Sequence, residues 1–262
     1  RVKTKFIGVI QSDDKNTFFI PENERVGSDF FIPKDKLNGA KHNDRVMIKF
    51  LDWPLSVGCP FGTVVKVLKN TMDLKDEIDN TINLFDLRNN FSHKIDGELK
   101  LLNNKIDHAE IKIRRDFRNE ITFTIDPKDA KDFDDALSIK LLPKNKFSIG
   151  VHIADVAHYV KPNSEIDKEA FQRAFSVYFP GKVIPMLPEK VSNLICSLRP
   201  KEDKLCFSVV FEFDSKFSHC EEIWIGKGII NSNHRFTYED VENILNCSKG
   251  LFFKELDIMN RI

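Results

Sequence analysis

The run Thr124–Asp135, TIDPKDAKDFDD, sets five aspartates within ten residues, and it restricts the fold more than any other segment. Carboxylates this close repel one another, so the chain must hold them where water solvates the cluster or cations neutralise it. Pro127 keeps Asp126 extended and stops helix propagation, which leaves Asp126 at the end of the strand-like ITFTI before it. In an extended segment Asp132 and Asp134 project to one side, because side chains repeat every two residues, and Asp135 points elsewhere unless the strand bends. Spacing alone leaves two readings open. One is a solvated acidic turn, since DPKDAK is rich in turn formers. The other is a site for hard divalent ions, which prefer carboxylate oxygens; two of them about 4 Å apart make a water nucleophilic and stabilise the leaving oxygen of a phosphodiester. A calcium loop of the EF-hand type starting at Asp132 fails, because Ala136 and Leu137 stand where an oxygen ligand and a glycine are needed.

Residues 5–68 alternate short apolar runs with turn signals: KFIGVI, TFFIP, FFIP, RVMIKFL and, after the Cys59–Pro60 break, PFGTVVKVL. Five short strands punctuated by Gly, Asn and Asp predict a small closed barrel. Phe18 with Phe19, and Phe30 with Phe31, form adjacent pairs, so alternation predicts one ring of each pair in the core and the other outside. An outside ring is either a platform for a stacked base or a cross-strand filler. From Thr71 to about Leu102, DLKDEIDNTINLF carries apolar residues at helical spacing and predicts a helical linker.

Beyond Arg115 strands and helices mix. Ser164 is placed to cap a helix through Phe175, with Ile166, Ala170 and Ala174 on one stripe, and Pro188 to start another carrying Val191, Leu194, Ile195 and Leu198. In LCFSVVFEF the alternation predicts one buried face made of Leu205, Phe207, Val209, Phe211 and Phe213. Thr237 with Asp240 caps a last helix. HIADVAHYV is expected to be one apolar strand with Asp155 near its end, a reading that discounts metal ligation or acid–base work by His152 and His158 beside that aspartate.

Lys plus Arg and Asp plus Glu number 40 each, so no basic excess announces a polyanion partner, and a nucleic-acid role must rest on local patches. Five cysteines without a CxxC pair argue against a structural zinc site and a complete disulfide framework, and favour a reducing, cytoplasmic setting. No apolar stretch approaches the roughly 18 residues of a membrane span. The sequence begins at Arg1 without Met and stops at Ile262 in a helical-looking stretch, so a piece of a longer protein is expected.

TIDPKDAKDFDDAL closely resembles the catalytic signature of the ribonuclease II and ribonuclease R family of processive 3′-to-5′ exoribonucleases. RRDFR matches the usual lead-in, and the likeness continues through GVHIADVAHYV, SVYFPGKVIPMLPEKVSN and LICSLRP, spanning residues 114–200. PKDAKDFDD and GVHIADV look nearer the ribonuclease R branch. The resemblance implies that Asp126, Asp132, Asp134 and Asp135 bind Mg²⁺, or Mn²⁺, and the scissile phosphate. It also makes Asp134 the position whose loss abolishes cleavage but not RNA binding, and gives Tyr178 a base near the 3′ end to stack on. Arg173 and Arg199, beside SVYFP and SLRP, become RNA phosphate contacts or partners of structural carboxylates.

GVIQSDDKNTFFIPE and DFFIPKDKLNGAKHNDRV resemble the cold-shock domains of the same family. That implies single-stranded RNA binding through Phe18, Phe19, Phe30 and Phe31, with Lys34, Lys36, Lys41 and Arg45 on phosphates. The expected architecture is multidomain: an all-β OB-fold (a cold-shock-like barrel) over residues 1–70, a helical linker over 71–113, and part of an α+β RNB catalytic domain over 114–262. The expected function is two-metal hydrolysis of single-stranded RNA from its 3′ end to nucleoside 5′-monophosphates, by a monomer. Because the family's catalytic domain continues well past the equivalent of Ile262, the alternative is a noncatalytic RNA-binding chain that uses only its barrel.

Overall fold

A computed structural model describes residues 4–13, 15–54, 58–69, 73–214, 216 and 220–262. In chain order the elements are β1 (Lys5–Ser12), β2 (Thr17–Pro21), β3 (Phe30–Phe31), β4 (Arg45–Asp52), β5 (Phe61–Val67), α1 (Leu74–Leu84), α2 (Asp96–Leu101) and α3 (His108–Lys112). There follow β6 (Arg115–Asp116), β7 (Ile121–Asp126), β8 (Asp135–Leu142), β9 (Lys146–Ala154), α4 (Val156–Tyr159), α5 (Glu165–Arg173), β10 (Val177–Phe179) and β11 (Lys182–Ile184). The last are β12 (Asp203–Phe213), β13 (Cys220–Asn231), β14 (His234–Thr237), α6 (Tyr238–Cys247) and α7 (Phe253–Asn260). The chain divides into two compact units, residues 1–90 with 177–184, and residues 91–176 with 185–262. Among the described residues no helix is long and apolar enough to cross a membrane.

In the first unit the five expected strands close into a barrel in the order β1-β2-β3-β5-β4. Alternation drives the closure: Ile10, Phe19, Phe30, Ile32, Val46, Ile48 and Val64 all point inward and are buried. Asp73 caps α1 by accepting from the Lys75 amide, and α1 buries Ile78 and Ile82 against Ile184 of the β10–β11 hairpin. That hairpin turns at Pro180–Gly181, where Gly181 takes φ 73°.

The second unit is built on a seven-stranded sheet ordered β14-β7-β8-β9-β12-β13-β6. It is antiparallel except at the edges, where β14 runs parallel to β7 and β6 parallel to β13. One core joins Phe117, Ala136, Val191, Ile195, Leu198, Cys206, Val210 and Ile230, and a second packs Phe123 and Phe236 against Leu256 of α7. Thr237 and Asp240 form a complete capping box on α6. Ser164 caps α5, but the helix stops at Arg173 rather than Phe175, because Ala174 leaves it at φ 70°.

Three further expectations fail. The buried face of β12 is not the phenylalanine face: Phe207 is 45% exposed, while Cys206, Ser208 and Val210 are buried. The polar members of that face find partners across strands, so hydrophobicity marks the wrong side. The segment after Pro188 forms only a single π-type turn over Lys190–Ile195, closed by the Cys196 amide on the Val191 carbonyl at 2.9 Å. The HIADVAHYV strand ends at Ala154, where Asp155 caps α4 by accepting from the His158 amide.

Two polar devices hold the second unit. His152, fully buried, bonds Ser208 Oγ through Nδ1 at 2.7 Å and Ser138 Oγ through Nε2 at 2.8 Å. Gly150 leaves the room for this, since a Cβ there would come within 2.7 Å of His152 Nε2. Burial, with a smaller contribution from the Arg115 charge, lowers the His152 pKa from 6.5 to about 4. The unfolded chain therefore takes up this proton below pH 6.5 and the folded chain only near pH 4. His152 should thus cost the second unit about 3 kcal/mol of stability as pH falls through that window, and nothing further below it. Urea midpoints measured from pH 7 to pH 4 should show this slope; an equal slope in His152→Gln would assign it to another group.

The second device is Arg114, whose side chain is 0% exposed. It donates to Asp155 Oδ2 at 2.6 Å, to Glu110 Oε1 at 2.6 and 2.8 Å, and to the carbonyls of Cys206 at 3.2 Å and Gly228 at 3.3 Å. One guanidinium thus ties α3, the end of β9, β12 and β13 together.

Candidate active site and nucleic-acid face

The aspartate run is a loop slung between the end of β7 and the start of β8, with Asp126 the last residue of one strand and Asp135 the first of the other. Pro127 opens it, and the Ala130 amide returns to the Pro127 carbonyl at 3.0 Å. Its far side is tied to the segment of the SLRP motif: Ser197 Oγ donates to the Lys131 carbonyl at 2.8 Å and accepts from the Phe133 amide at 3.1 Å. The Leu198 amide reaches the Phe133 carbonyl at 2.8 Å, and the Ala154 amide reaches the Asp134 carbonyl at 2.9 Å. Backbone tethers on both sides of Phe133 leave the Asp134 side chain directed to solvent, where it is exposed.

Asp126, Asp134 and Asp135 lie within electrostatic reach of one another. Burial raises the Asp126 pKa first, and the charges of Asp135 and Asp134 add to it; the Thr124 hydroxyl and the Arg235 guanidinium oppose the rise. For Asp135, burial and then the Asp134 charge act upward. Asp126 Oδ2 is buried without a hydrogen-bond partner. An orphaned carboxylate oxygen and carboxylates that destabilise one another's charge match the oxygen donors that a hard divalent cation takes. Asp132 is half-buried on the same loop. Among the described residues no three acidic, His or Cys side chains close into a metal-holding group, so the site is an open array rather than a finished cage.

Arg235 was not singled out from the sequence. It stands on β14 opposite Thr124, donates to the Pro127 carbonyl, and lies 5.4 Å from the centre of the Phe133 ring. Only the pairing of β14 with β7 brings it to the loop, and no local pattern foretells that pairing.

On the barrel, Phe18 and Phe31 are half-buried and meet edge to face at 5.8 Å, and Phe61, which sequence reasoning passed over, extends the row at 5.1 Å from Phe31. An aromatic opening a strand after a Pro break was the available signal. Phe19 and Phe30 are corrected as RNA contacts, because they are core residues at 0% and 3% exposure and present no ring face to a base. Lys34 and Lys36 are exposed on a short turn beside this row, with Lys36 at 3.3 Å from Asp35. Lys41 is exposed, whereas Arg45 is held between Glu22 and Glu77, which keep its pKa above the ordinary arginine value.

Arg173 is also corrected. Its side chain is 3% exposed, bonded to Glu169 at 3.1 Å and to the Pro185 carbonyl at 3.3 Å, and stacked at 3.7 Å over Phe91, so a phosphate has no access to it. Arg199 is exposed, 3.7 Å from Glu202. Tyr178 stands on β10 in the first unit and is 65% exposed.

Comparison with known proteins follows the same division. The RNB domain family matches residues 114–251 and the cold shock domain family residues 18–92. Ribonuclease R of Aquifex aeolicus is 36% identical over 240 residues, covering 92% of this chain and 34% of its own length. The chain thus spans about a third of the curated relatives it matches. The structure of Mycoplasma genitalium RNase R in complex with double-stranded RNA aligns with a TM-score of 0.76 at 28% identity, over 98% of this chain and 45% of that one. Yeast Ssd1, a pseudonuclease, aligns with a TM-score of 0.81 over all of this chain and 33% of its own, but at 21% identity it speaks to the fold alone.

Proposed function

Because the chain belongs to the RNB domain family, we propose that it acts as a 3′-to-5′ exoribonuclease, processively removing nucleotides from single-stranded RNA as nucleoside 5′-monophosphates. The observation that carries this is the tethered loop that gathers Asp126, Asp134 and Asp135 around an unpartnered buried oxygen. With Asp132, these residues would hold divalent metal. Bound there, a pair of Mg²⁺ ions, or Mn²⁺, would make a water nucleophilic and stabilise the departing 3′ oxygen. The chain's own part is to fix the carboxylates by backbone tethers before substrate arrives, to stack bases on the Phe18, Phe31 and Phe61 row and on Tyr178, and to meet phosphates with Lys34, Lys36 and Arg199. The monomer in the cytoplasm is the expected working form.

A second reading, a noncatalytic RNA-binding chain, is favoured by the open carboxylate array. Fold does not choose between the two, since a pseudonuclease shares it. A 5′-labelled oligoadenylate with Mg²⁺ should pass from full length to a short labelled end product with few intermediates, and an intact band with RNA still bound would favour the second reading.

Metal should also stabilise the folded chain by mass action. At about ten times its Kd, Mg²⁺ should raise the melting temperature of the second unit by about 3–6 °C over the EDTA value. No shift at any millimolar concentration would show that the carboxylates do not act together.

A further inference from the structure

We infer that Arg235 is a positioning residue that braces the aspartate loop at its entry and its exit, so that Asp126 and Asp134 are presented together. The inference rests on the reading of those aspartates as ligands of a divalent cation.

Arg235 and Thr124 are in register across β14 and β7, which places the arginine two residues before Asp126 on the neighbouring strand. One end of its guanidinium donates to the carbonyl of Pro127, the residue that follows Asp126. The central carbon of the same group stands over the ring of Phe133, the residue that precedes Asp134, at 5.4 Å from the ring centre. Its charge lies near enough to favour the Asp126 carboxylate. Its Nε is buried without a hydrogen-bond partner. A donor left unpaired in the interior is unfavourable, so the group is kept there by its other contacts, the Nη2 bond to the Pro127 carbonyl and the Phe133 ring.

The rest of the loop is fastened elsewhere, by Ser197, Leu198 and Ala154 to its later backbone. Those bonds hold the Asp134 side but leave the residues just after Asp126 held, among the described contacts, by the turn at Ala130 and by Arg235. Among the described contacts, Arg235 is therefore a side chain that meets both ends.

Lysine separates bracing from charge. It keeps the positive charge beside Asp126, yet its compact ammonium cannot donate to Pro127 and also reach over Phe133 as a broad, planar cation does. Removing the charge altogether would also relieve repulsion of an incoming cation and confuse the result. Arg235→Lys is thus the informative variant.

The test is a titration of the full chain with Mn²⁺ alone, following free Mn²⁺ by electron paramagnetic resonance, for wild type, Arg235→Lys and Asp134→Asn, with melting temperatures taken in EDTA. Arg235→Lys should weaken Mn²⁺ binding about tenfold or more, the loss expected when a residue that orients ligands is changed. Its folded baseline should be unchanged. A merely structural arginine would lower the EDTA melting temperature and leave the Kd of the folded protein alone, and a Kd within about twofold of wild type overturns the inference. If wild type itself takes up no Mn²⁺, or Asp134→Asn binds as well as wild type, the metal reading falls and this inference with it. Should Arg235→Lys fail to fold, Phe133→Leu removes the ring face and keeps the Pro127 contact; weakened Mn²⁺ binding supports the brace, and unchanged binding overturns it.

Discussion

Asp134→Asn should lower the rate of RNA cleavage by about 10³-fold or more while RNA affinity stays within about threefold of wild type. Asparagine keeps the size of the side chain and one oxygen but removes the charge that neutralises bound metal. The substitution leaves the fold alone, because the Asp134 side chain is exposed and its structural bond, from the Ala154 amide, is made by the backbone carbonyl. Several kcal/mol of charge stabilisation at the phosphate correspond to about three powers of ten in rate. RNA affinity is retained because the ring row and exposed lysines of the barrel lie in the other unit. Parallel loss of binding and cleavage would move Asp134 from chemistry to substrate capture.

The largest effect on stability is expected at Arg114. Arg114→Met should cost the second unit about 3–5 kcal/mol, because it leaves the Asp155 carboxylate, 7% exposed, without its cation and the Cys206 and Gly228 carbonyls without their donor. For a unit of this size that corresponds to a melting temperature lower by about 10 °C. Glu110→Gln, at the more open end of the network with 19% side-chain exposure, should cost only about 1 kcal/mol. Urea denaturation of both variants checks the contrast, and equal losses would show that the pair with Asp155 is not the dominant contact. Because the Ala154 amide bonds the Asp134 carbonyl and Asp155 follows directly, the same network steadies the strand end beside the aspartates.

The barrel was legible because two-residue alternation states which side of a strand is buried, and turn residues mark its ends. Helix starts at Ser164 and Thr237 were legible for the same reason, since a cap is a local contact. The aspartates were legible as a cluster because clustering is itself the unfavourable feature that needs an explanation. What failed depended on partners distant in the chain. Arg45 and Arg173 look like free cations until Glu77 and Phe91 are brought to them. Ser208 was expected on an outer face, yet the fold supplies it with His152. Arg235 meets the Pro127 carbonyl across 108 residues, and nothing in its immediate surroundings marks it. The single π-type turn after Pro188 shows the same limit, since apolar spacing does not tell an i−4 from an i−5 hydrogen bond.

The central claim is that the aspartate loop performs metal-dependent hydrolysis from the RNA 3′ end. Chromatographic measurement of nucleoside 5′-monophosphates released from a single-stranded oligoadenylate, by wild type with Mg²⁺, wild type with EDTA, and Asp134→Asn with Mg²⁺, tests it most directly. The account predicts steady release in the first reaction alone, with all three samples binding the RNA. Equal RNA binding with no mononucleotide released in any reaction would contradict it and leave the chain an RNA-binding module.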